Sequence, residues 1–204
     1  MISGVVKTCV TAAALAGALL ALQATPSASA LDAATYASVG AQTSVPWGWV
    51  DFCQRYQGEC DGGPAAALDV NLSAKAIKEI ARVNRWVNAH VEAETDMDHW
   101  GLADRWDYPI DGKGDCEDYA LLKRKMLIEL GFPRQALLMT VVKDGDEEGH
   151  AILTVKTNKG EFVLDNLNDQ MTPWNATGYR FVKRQSQEDP NVWLTIGAPM
   201  TARL

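Results

Sequence analysis

The sequence has few long hydrophobic runs, and the longest lies in its first 30 residues. Beyond Ala30 no run approaches the roughly 18 apolar residues that a membrane-spanning helix needs. The first stretch has Lys7 near its start, then an apolar run, and it ends in Ala28-Ser29-Ala30. This small-x-small pattern is typical of a secretory signal peptide. We expect residues 1–30 to be removed and the protein to be periplasmic or secreted; a membrane anchor is the alternative, but the apolar core is short.

Positive charge is also scarce. The chain has 19 Lys and Arg against 26 Asp and Glu, which gives a formal net charge of −7. Nucleic acids and anionic membranes attract basic surfaces, so neither is expected as a partner. No internal repeat is visible, and residues 31–204 suit one domain with its own core. We expect a monomer that is not embedded in a membrane.

Cysteine is rare enough for each one to be considered separately. Cys9 would leave with the signal peptide, which leaves Cys53, Cys60 and Cys116. In an oxidising compartment Cys53 and Cys60 flank a short loop and are the expected disulfide. Cys116 is then odd, and an odd cysteine in an exported protein is either a link between molecules or a free reactive thiol.

The sequence around Cys116 favours the reactive thiol. The stretch GDCEDYA (114–120) leads into a helical pattern that stops at Gly131 and Pro133. Asp115 is a natural N-cap and Asp118 is spaced to reach back to it, so Cys116 should be the first helical residue, near unpaired backbone N–H groups that stabilise a thiolate. The alternative is an ordinary half-buried cysteine with acids that complement the helix dipole.

After this helix the pattern changes to strands. Leu137–Val142 and His150–Val155 are predicted strands, and a turn at Asn158–Gly160 leads into Glu161–Asp165. His150 begins one strand of this hairpin and Asp165 ends the other, so we expect the two side chains at the same end. A His–Asp pair beside a helix-start cysteine is the arrangement of an activated thiol.

The remaining chain is predicted mainly as scaffold. Ser73 should cap a helix with an apolar stripe from Ala76 to Val91, and Tyr179–Arg184 and Val192–Ile196 should be strands. Val45–Trp49 is predicted as an extended segment or loop, and 166–177 as a polar loop. The stretch 95–114, rich in Asp, Trp and Gly, is predicted as a loop that either serves a cation and a cleft or is a surface loop held by Trp100 and Trp106.

The order of these motifs resembles the bacterial transglutaminase-like cysteine peptidases. The resemblance is carried by VNRWVN (83–88), DMDHWGLADRWDYP, GDCEDYALLK, GHAILTV and VLDNL, and it spans about Trp47 to Trp193. It implies an α+β, papain/transglutaminase-like fold in which the nucleophile helix packs on an antiparallel sheet. It places the catalytic Cys, His and Asp at Cys116, His150 and Asp165.

The same resemblance implies calcium and a protein substrate. The best-understood members are periplasmic calcium-dependent proteases that cleave large surface adhesins, and a membrane-anchored regulatory partner is also implied. The calcium-binding acids fall on Asp115 and Glu117, with Asp118 as a further candidate.

The charges around Cys116 predict a bound cation independently of the resemblance. Acids around a residue that must become an anion would raise its pKa, and a hard divalent cation held by Asp115 and Glu117 would cancel that repulsion. Oxygen ligands favour calcium over zinc. The alternative is that these acids only cap the helix.

The leading functional hypothesis is therefore an exported, calcium-dependent thiol endopeptidase. In it the Cys116 backbone N–H and a loop donor such as a Trp indole would stabilise the oxyanion. A transglutaminase that resolves the same acyl-enzyme with an amine is one alternative. A calcium-responsive binding module that does not cleave is another.

Overall fold

A single antiparallel sheet of seven strands forms the frame of the computed structural model, which describes residues 35–197. The predicted signal peptide lies outside the described residues. The strand order is β1-β9-β8-β4-β5-β6-β7, and every neighbouring pair is antiparallel. The strands are β1 (Val39–Thr43), β4 (Leu137–Lys143), β5 (Gly149–Thr157), β6 (Gly160–Asp165), β7 (Asn168–Pro173), β8 (Arg180–Gln185) and β9 (Trp193–Ile196), and a separate parallel pair is β2 (Glu92–Ala93) and β3 (Lys113–Gly114).

Four α-helices accompany the sheet. They are α1 (Trp47–Arg55), α2 (Ala74–His90), α3 (Asp96–Trp100) and α4 (Cys116–Glu129). Helix α4 packs on β4, β5 and β6, while α2 packs against α4 and β7. The predicted α+β arrangement, with the cysteine helix on an antiparallel sheet, is confirmed.

The core lies on both faces of the sheet. The larger cluster fills the space between the helices and the sheet and includes Leu121, Leu127 and Leu153, all fully buried. A smaller cluster around Ile152, Val163 and Trp174 covers the opposite face. Burying one such side chain contributes about 1.5–3 kcal/mol, so the larger cluster fixes α4 against the strands.

The predicted secondary structure is largely confirmed. Ser73 caps α2 by accepting a hydrogen bond from the Ala76 N–H at 3.2 Å. Cys116 is the first residue of α4, and the chain leaves that helix through Gly131, whose φ of 88° is the left-handed conformation that glycine adopts without strain. The predicted strands after α4 all form within a few residues of their expected limits.

Three segments differ from the prediction. The predicted extended segment 45–49 is wrong, because α1 begins at Trp47 and buries Trp49 and Phe52, three residues apart, in the core. The predicted loop 166–177 contains β7, which pairs with β6. The loop 95–114 includes the short helix α3 and ends in β3. In each of these segments the local sequence pattern is weak.

The sheet topology brings the ends of four strands together. Val142, near the end of β4, pairs with His150 at the start of β5 and with Phe181 at the start of β8. Leu153 of β5 pairs with Leu164 of β6, which places Asp165 beside the start of β5. His150 and Asp165 therefore share one end of the sheet, as predicted. None of the helices within residues 35–197 is long and apolar enough to cross a membrane.

The disulfide assignment is also confirmed. Cys53 and Cys60 are bonded, with Cα atoms 5.6 Å apart, and Cys116 is a free, half-buried cysteine. The bond ties the end of α1 to the following loop, where the Cys60 carbonyl accepts a hydrogen bond from Asn191 Nδ2 at 2.9 Å.

Replacing both bonded cysteines by serine should lower stability without removing the free thiol. Opening so small a ring should lower the free energy of unfolding by about 2.5 kcal/mol. Urea unfolding of the Cys53→Ser/Cys60→Ser variant measures this loss, and alkylation of Cys116 serves as the control. A linked peptide containing Cys116 in a non-reducing digest would contradict the assignment.

Candidate active site

Cys116 lies at the start of α4 with its sulfur held from two sides. The Ala151 N–H donates to Sγ at 3.4 Å, and the thiol donates to Glu117 Oε2 at 3.1 Å. Ala151 directly follows His150 on β5, so the nucleophile helix and the histidine strand meet at this sulfur. Gly114, just before the helix, leaves room for the Asp118 side chain, because a Cβ there would lie 2.5 Å from Asp118 Oδ2.

The predicted capping box does not form. Asp115 occupies the N-cap position, but its side chain makes no capping hydrogen bond. Asp115 Oδ2 instead accepts from the Asp96 N–H at 3.2 Å, and Asp118 Oδ1 accepts from the Asp107 N–H at 2.6 Å. Both carboxylates thus bind the 95–108 segment, because its backbone offers donors that compete with the helix terminus.

The surroundings of the thiol favour its neutral form. Burial raises the pKa of Cys116 well above its ordinary value, and the Glu117 carboxylate raises it further, with a smaller effect from Asp115. These influences outweigh the helix start and the Ala151 N–H. The reactive thiolate predicted from the helix terminus therefore requires a proton acceptor or a counter-charge.

His150 lines the same cleft as Cys116 and is the candidate proton acceptor, and Asp165 holds it. His150 Nε2 lies 2.9 Å from Asp165 Oδ1, and both side chains are more than nine-tenths buried. Burial pushes the pKa of Asp165 up, but donors from His150, Tyr179 and the Leu167 N–H more than offset this, so the pKa lies below its ordinary value. An ionised carboxylate only accepts hydrogen bonds, so Nε2 is the donor in this contact and Nδ1 takes no part in it.

Cys116 and His150 open into a common cleft of about 450 Å³. The cleft is also lined by Pro46, Ala103, Asp104, Trp106, Asp115, Glu117, Val141, Gly149, Ala151 and Lys183. The Trp106 N–H donates to Asp104 Oδ1 at 2.9 Å. The indole suggested as an oxyanion donor is thus already engaged with a carboxylate.

A cluster of five carboxylates adjoins the cleft. Asp96, Asp115 and Asp118 bring oxygens within 4.8 Å of one another, and so do Asp96, Asp104 and Glu117. Oxygens of Asp115 and Glu117 and the Cys116 sulfur also lie within 4.8 Å of one another. The cluster contains all three acids predicted from the sequence, which are Asp115, Glu117 and Asp118. The other two, Asp96 and Asp104, belong to the loop 95–114, for which the sequence predicted a cation site as one of two alternatives, without selecting individual acids.

Uncompensated charge is the main property of this cluster. Among residues 35–197 none of the five acids forms an ion pair with Lys or Arg. Burial raises the pKa of Asp118 to about 8 and that of Asp96 to about 6, with Asp115 raising both further. Burial and Asp115 also raise the pKa of Glu117. Asp115 Oδ1 is buried and accepts no hydrogen bond from the described residues.

Helix α1 supports the loop that supplies these acids. Arg55 Nη1 binds Asp107 Oδ2 at 3.0 Å, and Arg55 Nη2 donates to the Trp106 carbonyl at 2.5 Å. The Tyr56 hydroxyl donates to the other Asp107 oxygen. Trp106 packs directly over Gly48. The sequence analysis missed this support because it did not predict α1.

The family model described as bacterial transglutaminase-like cysteine proteinase (BTLCP) matches residues 39–201. The chain belongs to this family. It is a cysteine peptidase, and the predicted resemblance is confirmed. No curated protein sequence matches it.

Solved structures of Legionella pneumophila LapG resemble the peptidase. The calcium-bound form has 25% sequence identity and a TM-score of 0.50, covering 61% of this chain and 72% of LapG. A second LapG structure has 26% identity and a TM-score of 0.48, covering 57% and 67%, and an EGTA-treated form has 24% and 0.49, covering 62% and 73%. The likeness to calcium-bound LapG confirms the transglutaminase-like fold.

The close contact between Gly48 and Trp106 yields a test of the cleft wall. A Cβ at position 48 would lie 2.1 Å from the Trp106 ring, so Gly48→Ala must displace the indole or α1. We expect a loss of about 1–3 kcal/mol in the free energy of unfolding, measured by urea denaturation. Gly63→Ala is the matched control, because a Cβ there meets no atom within 4 Å. Equal stability of the two variants would contradict this packing.

Proposed function

We propose that Cys116, His150 and Asp165 are the catalytic triad of this peptidase, and that it is an exported, calcium-dependent endopeptidase. One observation carries the triad: the His150–Asp165 hydrogen bond of 2.9 Å adjoins the residue whose N–H binds Cys116 Sγ. The three side chains come from α4, β5 and β6, and the strand register holds the last two together.

The geometry supports acyl transfer to water. His150 Nδ1 takes the proton of the Cys116 thiol, and the sulfur attacks the carbonyl carbon of a peptide bond. Asp165 fixes the imidazole and stabilises the imidazolium that forms. The backbone N–H of Cys116, the first residue of α4, would donate to the developing oxyanion. The imidazolium then protonates the leaving amine, and His150 activates the water that releases the acid product and the free thiol.

The carboxylate cluster fits a calcium ion. Its donors are oxygens from Asp96, Asp104, Asp115, Glu117 and Asp118, and calcium takes six to eight oxygen ligands. Asp115 Oδ1 is buried without a donor, and none of the five acids forms an ion pair with Lys or Arg among the described residues, which supports a cation at this place. Calcium-bound LapG is consistent with this. When bound, the ion would supply positive charge beside a thiol that must ionise.

The substrate and the compartment rest on the family resemblance. We include a large surface adhesin as substrate and a membrane-anchored regulatory partner in the proposal. Export is supported by the signal-peptide pattern of residues 1–30. Mixing the purified protein with outer-membrane proteins of its own organism and sequencing new N-termini tests the substrate directly.

The triad predicts complete loss of cleavage in two variants. Cys116→Ala removes the nucleophile and His150→Ala removes the base, so new N-termini should fall by at least about a thousandfold. Circular dichroism should be unchanged. Full activity of either variant rejects the triad. A labelled amine added to the reaction distinguishes hydrolysis from transamidation, because only the latter incorporates it into protein.

Calcium removal should silence the enzyme and destabilise it at neutral pH. The raised pKa of Asp118, about 8, means that the folded state binds protons which the unfolded state has already lost, so stability of the metal-free protein falls as pH rises from about 4 to 8. Calcium binding should therefore raise Tm more at pH 8 than at pH 5. Differential scanning calorimetry with EGTA or excess calcium measures this.

Variants of the cluster provide the control for chelation. Asp115→Asn should reproduce the loss of activity in EGTA and abolish the calcium-dependent rise in Tm. Asp61→Asn, which changes an exposed acid outside the cluster, should respond to calcium like the wild type. Unchanged activity and Tm of the wild type in excess chelator would reject the calcium site.

A further inference from the structure

The Asp165 carboxylate has its two oxygens divided between two side chains. Oδ1 accepts from His150 Nε2 at 2.9 Å and from the Leu167 N–H at 3.1 Å. Oδ2 accepts from the Tyr179 hydroxyl at 2.6 Å. The Tyr179 ring also packs beside the imidazole, with ring centroids 5.4 Å apart and planes inclined by 58°. Tyr179 thus contacts both members of the pair.

A local turn delivers Tyr179 to this position. Gly178 has a φ of 78°, which turns the chain just before β8. Thr177 Oγ1 accepts from the Tyr179 N–H at 3.3 Å and donates to the Trp174 carbonyl at 2.9 Å. Because β8 starts at the sheet end where β5 starts and β6 ends, the hydroxyl reaches Asp165 Oδ2, while His150 contacts Oδ1.

The other charged groups around Asp165 do not replace this contact. Lys123 on α4 is buried, and its Nζ makes no hydrogen bond within residues 35–197; burial lowers its pKa to about 7, while Asp165 and Asp169 of β7 raise it. Asp144, in the turn after β4, raises the pKa of Tyr179 by charge repulsion with its phenolate, and Cys116 does the same. Tyr179 is therefore the one side chain besides His150 that donates a hydrogen bond to the carboxylate among the described residues.

We infer that Tyr179 is a positioning residue for the proposed triad: its hydroxyl fixes the Asp165 carboxylate so that Oδ1 faces His150 Nε2. The inference rests on the proposed function, because it acts through Asp165 and His150. Without the hydroxyl, Asp165 Oδ2 loses its hydrogen-bond donor. The carboxylate can then rotate so that Oδ1 no longer faces His150 Nε2. The imidazole is then held less firmly in the tautomer that leaves Nδ1 free.

Tyr179→Phe tests this role, because it keeps the ring and removes only the hydroxyl. A hydrogen bond to a charged group affects rate by about tenfold or more, so kcat should fall about tenfold with little change in KM. Loss of the donor raises the pKa of Asp165, so the acid limb of kcat, along which Asp165 is protonated and ceases to orient the imidazole, should move to higher pH. A peptide spanning the cleavage site found by terminal sequencing is the substrate.

A second readout needs no substrate. The chain has three histidines, so ¹⁵N spectra of the imidazoles can be resolved. The wild type should show His150 protonated at Nε2, and Tyr179→Phe should show an increased share of the Nδ1-protonated form, with His90 and His99 unchanged. The ¹³C resonance of the Asp165 carboxyl should titrate at higher pH in the variant.

Tyr36→Phe is the matched control, since it removes a hydroxyl that donates to the Thr157 carbonyl at 2.9 Å. It should leave kcat, the acid limb and the His150 tautomer unchanged. If Cys116→Ala is inactive while Tyr179→Phe has wild-type kcat, pH profile and tautomer, this inference alone is wrong. If Cys116→Ala is active, the proposed triad fails, and the imidazole spectra still report whether Tyr179 holds Asp165.

Discussion

Crowding of negative charge at the start of α4 is the constraint on which the site depends. Asp115, Glu117 and Asp118 flank a thiol that must become an anion, and Asp96 and Asp104 add two further acids. A unit charge about 4 Å away costs on the order of 1–4 kcal/mol near a protein surface. The loop 95–108 turns backbone N–H groups toward these acids, and Arg55 of α1 fixes that loop. The packing thus brings these acids together without an ion pair to Lys or Arg among the described residues.

The parts of the fold and site that could be predicted are those coded by local sequence. The helix pattern after GDCEDYA placed Cys116 at a helix start, and the Asn158–Gly160 turn set the register that joins His150 to Asp165. Alternation with a period of two and a short turn determine both members of a hairpin without information from elsewhere. Ring size and compartment were likewise enough to assign Cys53–Cys60.

The parts that could not be predicted depend on contacts between distant residues. Arg55 binds Asp107 across 52 positions in the sequence, and no periodicity links them. The capping box was predicted wrongly for the same reason, because backbone donors of the loop competed for Asp115 and Asp118. The sequence pattern predicts Tyr179 as an ordinary strand residue, and only the order of the strands in the sheet places it beside Asp165. Local propensity predicts the helix or strand on which such a side chain lies, but it does not predict which residue the side chain contacts.

The surroundings of two aspartates in one site shift their pKa values in opposite directions. Asp165 is buried, but three donors stabilise its charge and keep its pKa below the ordinary value. Asp118 is buried with one backbone donor among other acids, and its pKa rises to about 8. The first carboxylate can therefore orient an imidazole as an anion with the protein's own donors alone. The second lacks such donors, so the charge at the His150–Asp165 end of the cleft is compensated by the protein's own hydrogen bonds and the charge at the loop end is not.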